Sequence, residues 1–353
     1  MSVEPFHSPN QGKGDSRVSS LDAVRGFAAI LVMISHTCEA AGIFPPLFDP
    51  NISPIIFGVS GVVAFFLFCG FVIPLSLERH RSQSRFWISR VFRIFPLYLV
   101  AFAIAVFLMG ETLDIKGVVA HLFLLQDYVP GVENVVPNSW TLSIEWVWYA
   151  VFAILVALHW SEKTVLVTIL SVAALVTGVV ITFTITRMPM GRIGLLGSCV
   201  MGLLAYRIYM NDHVKRNVTL SIVLACTIFI GLTAAFLFTN RSGGDLELPY
   251  SQVLLTWGVG YALFYVGLFS PLFKRRNKVL VFLGEISYSV YLLHSFVVVF
   301  VVSWLGETWL ALPAVFAIAL PLSALSYRFI EKPCNAYGSK YAKKFAQRKP
   351  QTA

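Results

Sequence analysis

The chain has 353 residues, of which 57% are apolar and only 13% charged, against roughly a quarter charged in an ordinary soluble domain. Its mean hydropathy of +0.75 excludes a water-soluble enzyme, and it excludes disorder, because disordered chains are polar and charge-rich. The net charge is +9; in a membrane protein such an excess of Lys and Arg marks cytoplasmic loops rather than nucleic-acid binding. Five cysteines, an odd number without a Cys-x-x-Cys spacing, indicate neither a disulfide framework nor a zinc site.

Residues 1–18 are rich in Pro, Gly, Ser and Asn and read as a disordered cytoplasmic tail. No small-x-small cleavage site follows, so the start is not a cleavable signal peptide. A spanning helix needs about 20 mostly apolar residues. Ten stretches qualify, near 21–43, 55–77, 95–110, 139–160, 164–185, 190–210, 218–239, 250–270, 279–304 and 308–330. The third is short. Just before it, Ser84–Ile94 is basic on one side and carries Phe86, Trp87, Val91 and Phe92 on the other, the pattern of an interfacial amphipathic helix. The predicted fold class is an all-α polytopic membrane protein, a bundle of about ten transmembrane helices plus that interfacial helix. The transmembrane domain covers 19–335. Residues 336–353 form a basic cytoplasmic tail, disordered from about 338.

With the N-terminus inside, 22 of the 27 Lys and Arg fall in inner loops and ends, four in outer loops and one, Arg25, within the first helix. Such asymmetry over short loops predicts ten helices with both termini cytoplasmic. No internal repeat is visible, which weakens a secondary-transporter reading.

Charged groups at membrane depth cost at least ~2.5 kcal/mol each and are functional candidates by default. The few here are Arg25, His36, Glu39, Glu145, Glu285 and His294, with His159 at a boundary and read as a surface residue. Helix rise places His36 and His294 about 22 Å above the inner boundary and Glu145, counted down from Ser139, about 21 Å above it. Three ionisable groups on three helices would then share one level. Arg25 lies only about 6 Å from the inner boundary. It either snorkels to headgroups or faces an anionic ligand. Arg90 and Arg93 sit one turn apart on one face. They either touch lipid phosphates or clamp a phosphate ligand, which suits guanidinium geometry.

These segments resemble the acyltransferase-3 family of membrane O-acyltransferases. LDAVRGFAAILVMISH, with ten residues between Arg25 and His36, is similar to its first helix. In order follow FFLFCGFVIP (65–74), FWISRVFRIFPLYL (86–99), NSWTLSIEWVWYAVF (138–152), GEISYSVYLLH (284–294) and YRFIEKP (327–333). Helices 5 to 8 match only as apolar spans. One departure is visible: the family's second-helix signature usually has Ser before its Gly, and this chain has Cys69 before Gly70.

The resemblance implies a multi-pass protein of the inner (cytoplasmic) membrane that moves an acyl group, usually acetyl, from cytoplasmic acyl-CoA to a hydroxyl. The acceptor would be a glycan, an extracytoplasmic or lipid-linked molecule, or a macrolide-like metabolite. It implies donor binding by Arg90, Arg93 and Arg25. His36 would be general base or acyl carrier, Glu145 would orient it or bind acceptor hydroxyls, and His294 and Tyr288 would support the pocket. No metal is implied. The outer loops 44–54, 111–138 and 240–249 would shape acceptor choice, with few ionisable groups beyond Glu111, Asp114, His121, Asp127 and Glu133. A proton-coupled transporter using the same histidines as a relay and a scaffold protein remain alternatives.

Overall fold

Apolar runs of this length satisfy their backbone hydrogen bonds inside a bilayer by forming helices. The structure, a computed structural model, describes residues 19–347 except 46–47, 50–52, 81, 187, 242–249 and 271–276. The predicted tail 1–18, most of the loop 240–249, and the loop cations Arg81, Arg187, Lys274, Arg275 and Arg276 lie outside the described residues.

Among the described residues the chain is all helical, without strands. The helices are α1 Ser19–Ala40, α2 Phe57–His80, α3 Gln83–Ala103, α4 Ile115–Leu122, α5 Trp140–Ala157, α6 Thr164–Thr184, α7 Met190–Tyr209, α8 Val214–Arg241, α9 Tyr250–Phe269, α10 Lys278–Leu305, α11 Ala311–Ser326 and α12 Lys332–Gln347. Ten segments are long and apolar enough to cross a membrane, matching the ten predicted from sequence, and the chain is a multi-pass membrane protein.

Three local expectations are corrected. The interfacial segment Ser84–Ile94 and the third span are one continuous rod: α3 runs through Pro96 and ends in a π-helical turn, Ile104–Leu108. A proline removes one backbone bond, which neighbouring helices in a membrane bundle tolerate. The two sides assigned to that segment also merge, because Phe86 and Arg90 are four residues apart and share its buried face. At the other end, α11 passes through a second π-helical turn, Tyr327–Glu331, into α12. Residues 338–347 are therefore helical rather than disordered. Gly338 makes room for α3: a Cβ there would stand 2.5 Å from the Phe92 Cβ. His159 is exposed as expected.

Small residues let membrane helices approach closely, and two such crossings position the site. A Cβ on Gly284 of α10 would stand 2.0 Å from the Asp22 carbonyl of α1. A Cβ on Gly70 of α2 would stand 1.8 Å from the Cys199 carbonyl of α7. The first crossing locks α1 to α10 at Arg25. The second locks α2 beside α7, one residue from Cys69.

Candidate active site

The α1–α10 crossing brings Arg25 against the backbone of α10. Its Nε donates to Ser287 Oγ at 2.8 Å, Nη2 donates to the Gly284 carbonyl, and Asp22 lies 3.7 Å away. Arg25 is therefore not a snorkelling side chain. It lines a cavity together with Cys69, Arg90, Arg93, Glu145, Tyr149 and Tyr288.

Arg90 is 6% exposed. Its guanidinium lies over the Phe86 and Tyr149 rings, 5.4 Å from each centroid. Its Nε has no hydrogen-bond partner among the described residues. Leaving a buried charged donor unpaired costs more than an ordinary hydrogen bond gains. Arg93 lines the same cavity, with Glu331 and Tyr288 as electrostatic neighbours. Tyr288 itself donates to the Ile94 carbonyl at 2.8 Å, tying α10 to α3.

A second cleft shares Arg25, Phe65 and Ser287 with the first and continues along Ala28, Val32, Gly61 and Tyr291. It is lined almost wholly by apolar side chains. Gly61 lets α1 and α2 approach closely beside it, since a Cβ there would lie 2.8 Å from the Ala28 carbonyl. Val32 and Tyr291 lie about one helical turn short of His36 and His294.

His36 and His294 meet. His36 Nδ1 lies 2.9 Å from His294 Nε2, and the rings stack at 5.2 Å. The tautomers follow from one carbonyl. Val290 O lies 2.8 Å from His294 Nδ1 and can only accept, so Nδ1 carries the proton. In neutral His294 the Nε2 lone pair then accepts from His36 Nδ1–H. The Nε2 of neutral His36 is left with its lone pair, the state a general base needs.

Glu145 does not join this pair. Its carboxylate accepts from Tyr149 OH and sits in the arginine cavity beside Cys69. The shared level of three groups is corrected to two. The depth count took Ser139 as the outer boundary, but the start of α5 is already sunk to the height of the histidines. Asn138 donates to Ser295 Oγ and lies 3.4 Å from His294 Nε2. Thr141 donates to Tyr291 OH at 2.9 Å. Seven residues, or about 10 Å, separate Asn138 from Glu145 on α5, and the same number separates Ser295 from Tyr288 on antiparallel α10. Glu145 thus falls beside Tyr288.

Asn138 and Glu331 were not singled out from sequence. Asn138 has φ +63°, a left-handed conformation that Asn tolerates better than most residues. It opens the NSW motif, and that was its one available signal. Glu331 is 5% exposed and accepts from Ser289 Oγ. It lies in the YRFIEKP segment.

A family model described as "Acyltransferase domain" matches residues 18–328. The chain belongs to the acyltransferase-3 family. It is 26% identical to Nodulation protein 10 of Rhizobium leguminosarum bv. viciae, over 92% of this chain and 95% of that one. It is 27% identical to the exopolysaccharide production protein ExoZ of Rhizobium meliloti, over 78% of this chain and 89% of that one. It is 24% identical to the O-acetyltransferase OatA of Staphylococcus aureus, over 96% of this chain and 59% of that one. No solved structure matches the chain. This acyltransferase-3 protein is therefore a membrane O-acyltransferase. It has two polar centres, one of arginines and one of histidines; two adjoining cavities along α1 and α10 run from the arginines to Val32 and Tyr291, about one turn below the histidines.

Proposed function

We propose that the protein transfers an acyl group, acetyl by preference, from acyl-CoA to a hydroxyl of a glycan or another extracytoplasmic or lipid-linked acceptor. The observation that carries this reading is that the two adjoining cavities run from Arg90 and Arg93 to Val32 and Tyr291, about one helical turn below the His36–His294 pair. Arg25 and His36 are eleven residues apart on α1, about 16 Å along its axis. The pantetheine arm of CoA has about as many chain atoms as four extended residues, about 15 Å. With CoA phosphates at Arg90 and Arg93, the thioester reaches the His36 level.

The acceptor oxygen attacks the thioester carbonyl carbon. His36 Nε2 takes the hydroxyl proton, the C–O bond forms, the C–S bond breaks, and the proton passes from His36 to the departing sulfur. His294 accepts from His36 Nδ1–H throughout, holding the ring and stabilising the imidazolium. Glu145 then belongs to the donor end, where its carboxylate faces Tyr149 and the pantetheine path. The charge split of 22 to 4 supports a donor site on the cytoplasmic side of the inner membrane with both termini there.

The test is mass spectrometry of surface glycans and secreted metabolites from the host, comparing the intact gene, a deletion and His36→Ala. An acyl mass lost equally in the deletion and in His36→Ala names the acceptor and the acyl group. Unchanged acylation in both would overturn the reading. Equimolar turnover of acetyl-CoA by purified protein with that acceptor closes the assignment.

A further inference from the structure

The segment between α3 and α5 ought to be a water-exposed loop if it simply joined two spans at the membrane surface. Its side chains argue otherwise. On α4, Ile115 is 85% exposed, Val119 48%, Leu122 40% and Phe123 61%. These positions, i, i+4, i+7 and i+8, form one stripe. The opposite face, with Ala120 at 3% and His121 at 0%, is packed against protein. A contiguous apolar surface of this kind on a soluble loop would be an aggregation liability.

Height decides what covers the stripe. His121 stacks on Phe102 at 5.2 Å and its Nδ1 lies 3.1 Å from Tyr98 OH. Those α3 residues come six and ten positions before the end of the span Gln83–Leu108, which has 26 residues. Measured against a ~30 Å hydrocarbon core, α4 is docked about 5–10 Å below its edge. The segment's other end is deeper still, since Asn138 meets His294, eleven residues before the end of α10 at Leu305. Both ends dip below the helix tops. Phe107 and Leu108, at the end of the span itself, are 82% and 79% exposed.

We propose that residues 109–139 form a re-entrant cap whose helix α4 is immersed in the lipid acyl chains of the leaflet on the histidine side. The bilayer is the partner of the stripe. Non-helical backbone is tolerated at membrane depth only where protein satisfies it, and here turn bonds such as Leu125 N–H to the Ala120 carbonyl at 2.8 Å and Tyr128 N–H to the Leu125 carbonyl at 2.9 Å pair backbone groups of the cap. His121 Nε2 pairs with the Glu133 carbonyl at 3.0 Å. Gln126 donates to Ser139 and Ser143, and Ser139 donates to Asn134. The same bonds tie the lipid-facing helix to the start of α5. The cap therefore carries Asn138 onto the histidine pair as one piece with its membrane-immersed face.

The test uses the full chain with Cys226→Ser and Cys334→Ser, the two cysteines that are not buried. Val119→Cys, Leu122→Cys and Glu133→Cys are each introduced, labelled with an environment-sensitive fluorophore, and placed in phosphatidylcholine nanodiscs. Acyl-chain-brominated lipid should quench the label at 119 and 122 strongly. Aqueous iodide should quench those two about fivefold less than the label at 133, as expected for a helix sunk into the acyl boundary. Iodide quenching at 119 and 122 equal to that at 133 would overturn the proposal, leaving the stripe in water. Protection from both quenchers would also overturn it, and would mean that a second copy covers the stripe. Two labelled positions guard against one variant misfolding. The readout needs no acyl transfer, so its failure leaves the catalytic reading standing.

Discussion

The arginine centre and the histidine centre are built largely on the same helices, α1, α5 and α10, yet they are finished differently. At the histidine end the hydrogen bonds close on themselves. Val290 O fixes His294, His294 fixes His36, and Asn138 with Ser295 closes the side. At the arginine end Arg25 is tied down, but Arg90 is buried with Nε unpaired. Among the described residues its guanidinium rests on two ring faces with Nε unpaired, an arrangement that an anion would complete. On the proposed function, one end is preorganised for proton transfer and the other receives the charged donor. The difference makes separate kinetic demands on the two ends, and substitutions can test them separately.

The largest effect belongs to the closed end. His36→Ala removes the free Nε2 and should lower turnover by about 10²–10⁴-fold, the usual range for a positioned general base. Donor affinity should stay near that of the original protein, because Arg25, which shares the cavity with Arg90 and Arg93, is about 16 Å along α1 from His36. Steady-state turnover and acyl-CoA binding on the same preparation separate the two quantities. A parallel loss of binding would break the comparison, since the ends would then not be independent.

The open end comes next. Arg93→Ala should raise the apparent donor constant about tenfold or more, from a charge-assisted contact of about 1.5–3 kcal/mol. Arg93→Lys should recover part of this, because the ammonium keeps the charge and loses the fork. Arg90→Lys should recover less, because the flat guanidinium fills the space over Phe86 and Tyr149. Equal donor affinity across these variants would remove the phosphate site from the arginine end.

How much of this was legible in the sequence depends on what set each position. Span number and the common level of His36 and His294 follow from hydropathy and helix rise, because α1 and α10 both begin near one membrane face; that the two rings meet depends on the α1–α10 crossing at Gly284. The same arithmetic misplaced Glu145, because the start of α5 is set by tertiary packing of the cap, with Asn138 held against Ser295. No local pattern announces a helix that starts below the surface. The continuity of α3 through Pro96 was hidden for a similar reason: the proline reads as a break until neighbouring helices are present. Arg90 and Arg93 were found by spacing alone, but the stacking of Arg90 on Tyr149 joins α3 to α5 and has no sequence signature.

A smaller effect sharpens the account of the closed end. His294→Asn keeps a polar group but loses the bond that fixes the His36 tautomer, a loss of about 1–1.5 kcal/mol or about tenfold in turnover. A merely structural histidine would lower thermal stability and leave the pH dependence of the remaining activity in place. A positioning histidine should shift the pH profile, because His36 then titrates without its acceptor.

The smallest effect concerns Cys69, where the family usually has Ser. The thiol lines the arginine cavity, 7% exposed, beside Glu145. The next residue, Gly70, carries the contact with the Cys199 carbonyl. The close packing at this crossing therefore rests on Gly70, and the side chain at 69 needs only to be small. A buried thiol acts as a small apolar group with a weak donor. Cys69→Ser is smaller in volume, creates no overlap, and lets a hydroxyl donate to the Glu145 carboxylate. Donor affinity and turnover should both stay within about twofold, less than 0.5 kcal/mol. Gly70→Ala, one residue on, should by contrast cost about 1–3 kcal/mol in stability, because its Cβ would force α2 and α7 apart. Thermal unfolding of both variants in one detergent, with acyl-CoA titrations, measures the pair. A tenfold loss of turnover in stably folded Cys69→Ser would make the thiol itself part of the donor site, and the open end would then hold a nucleophile as well as its cations.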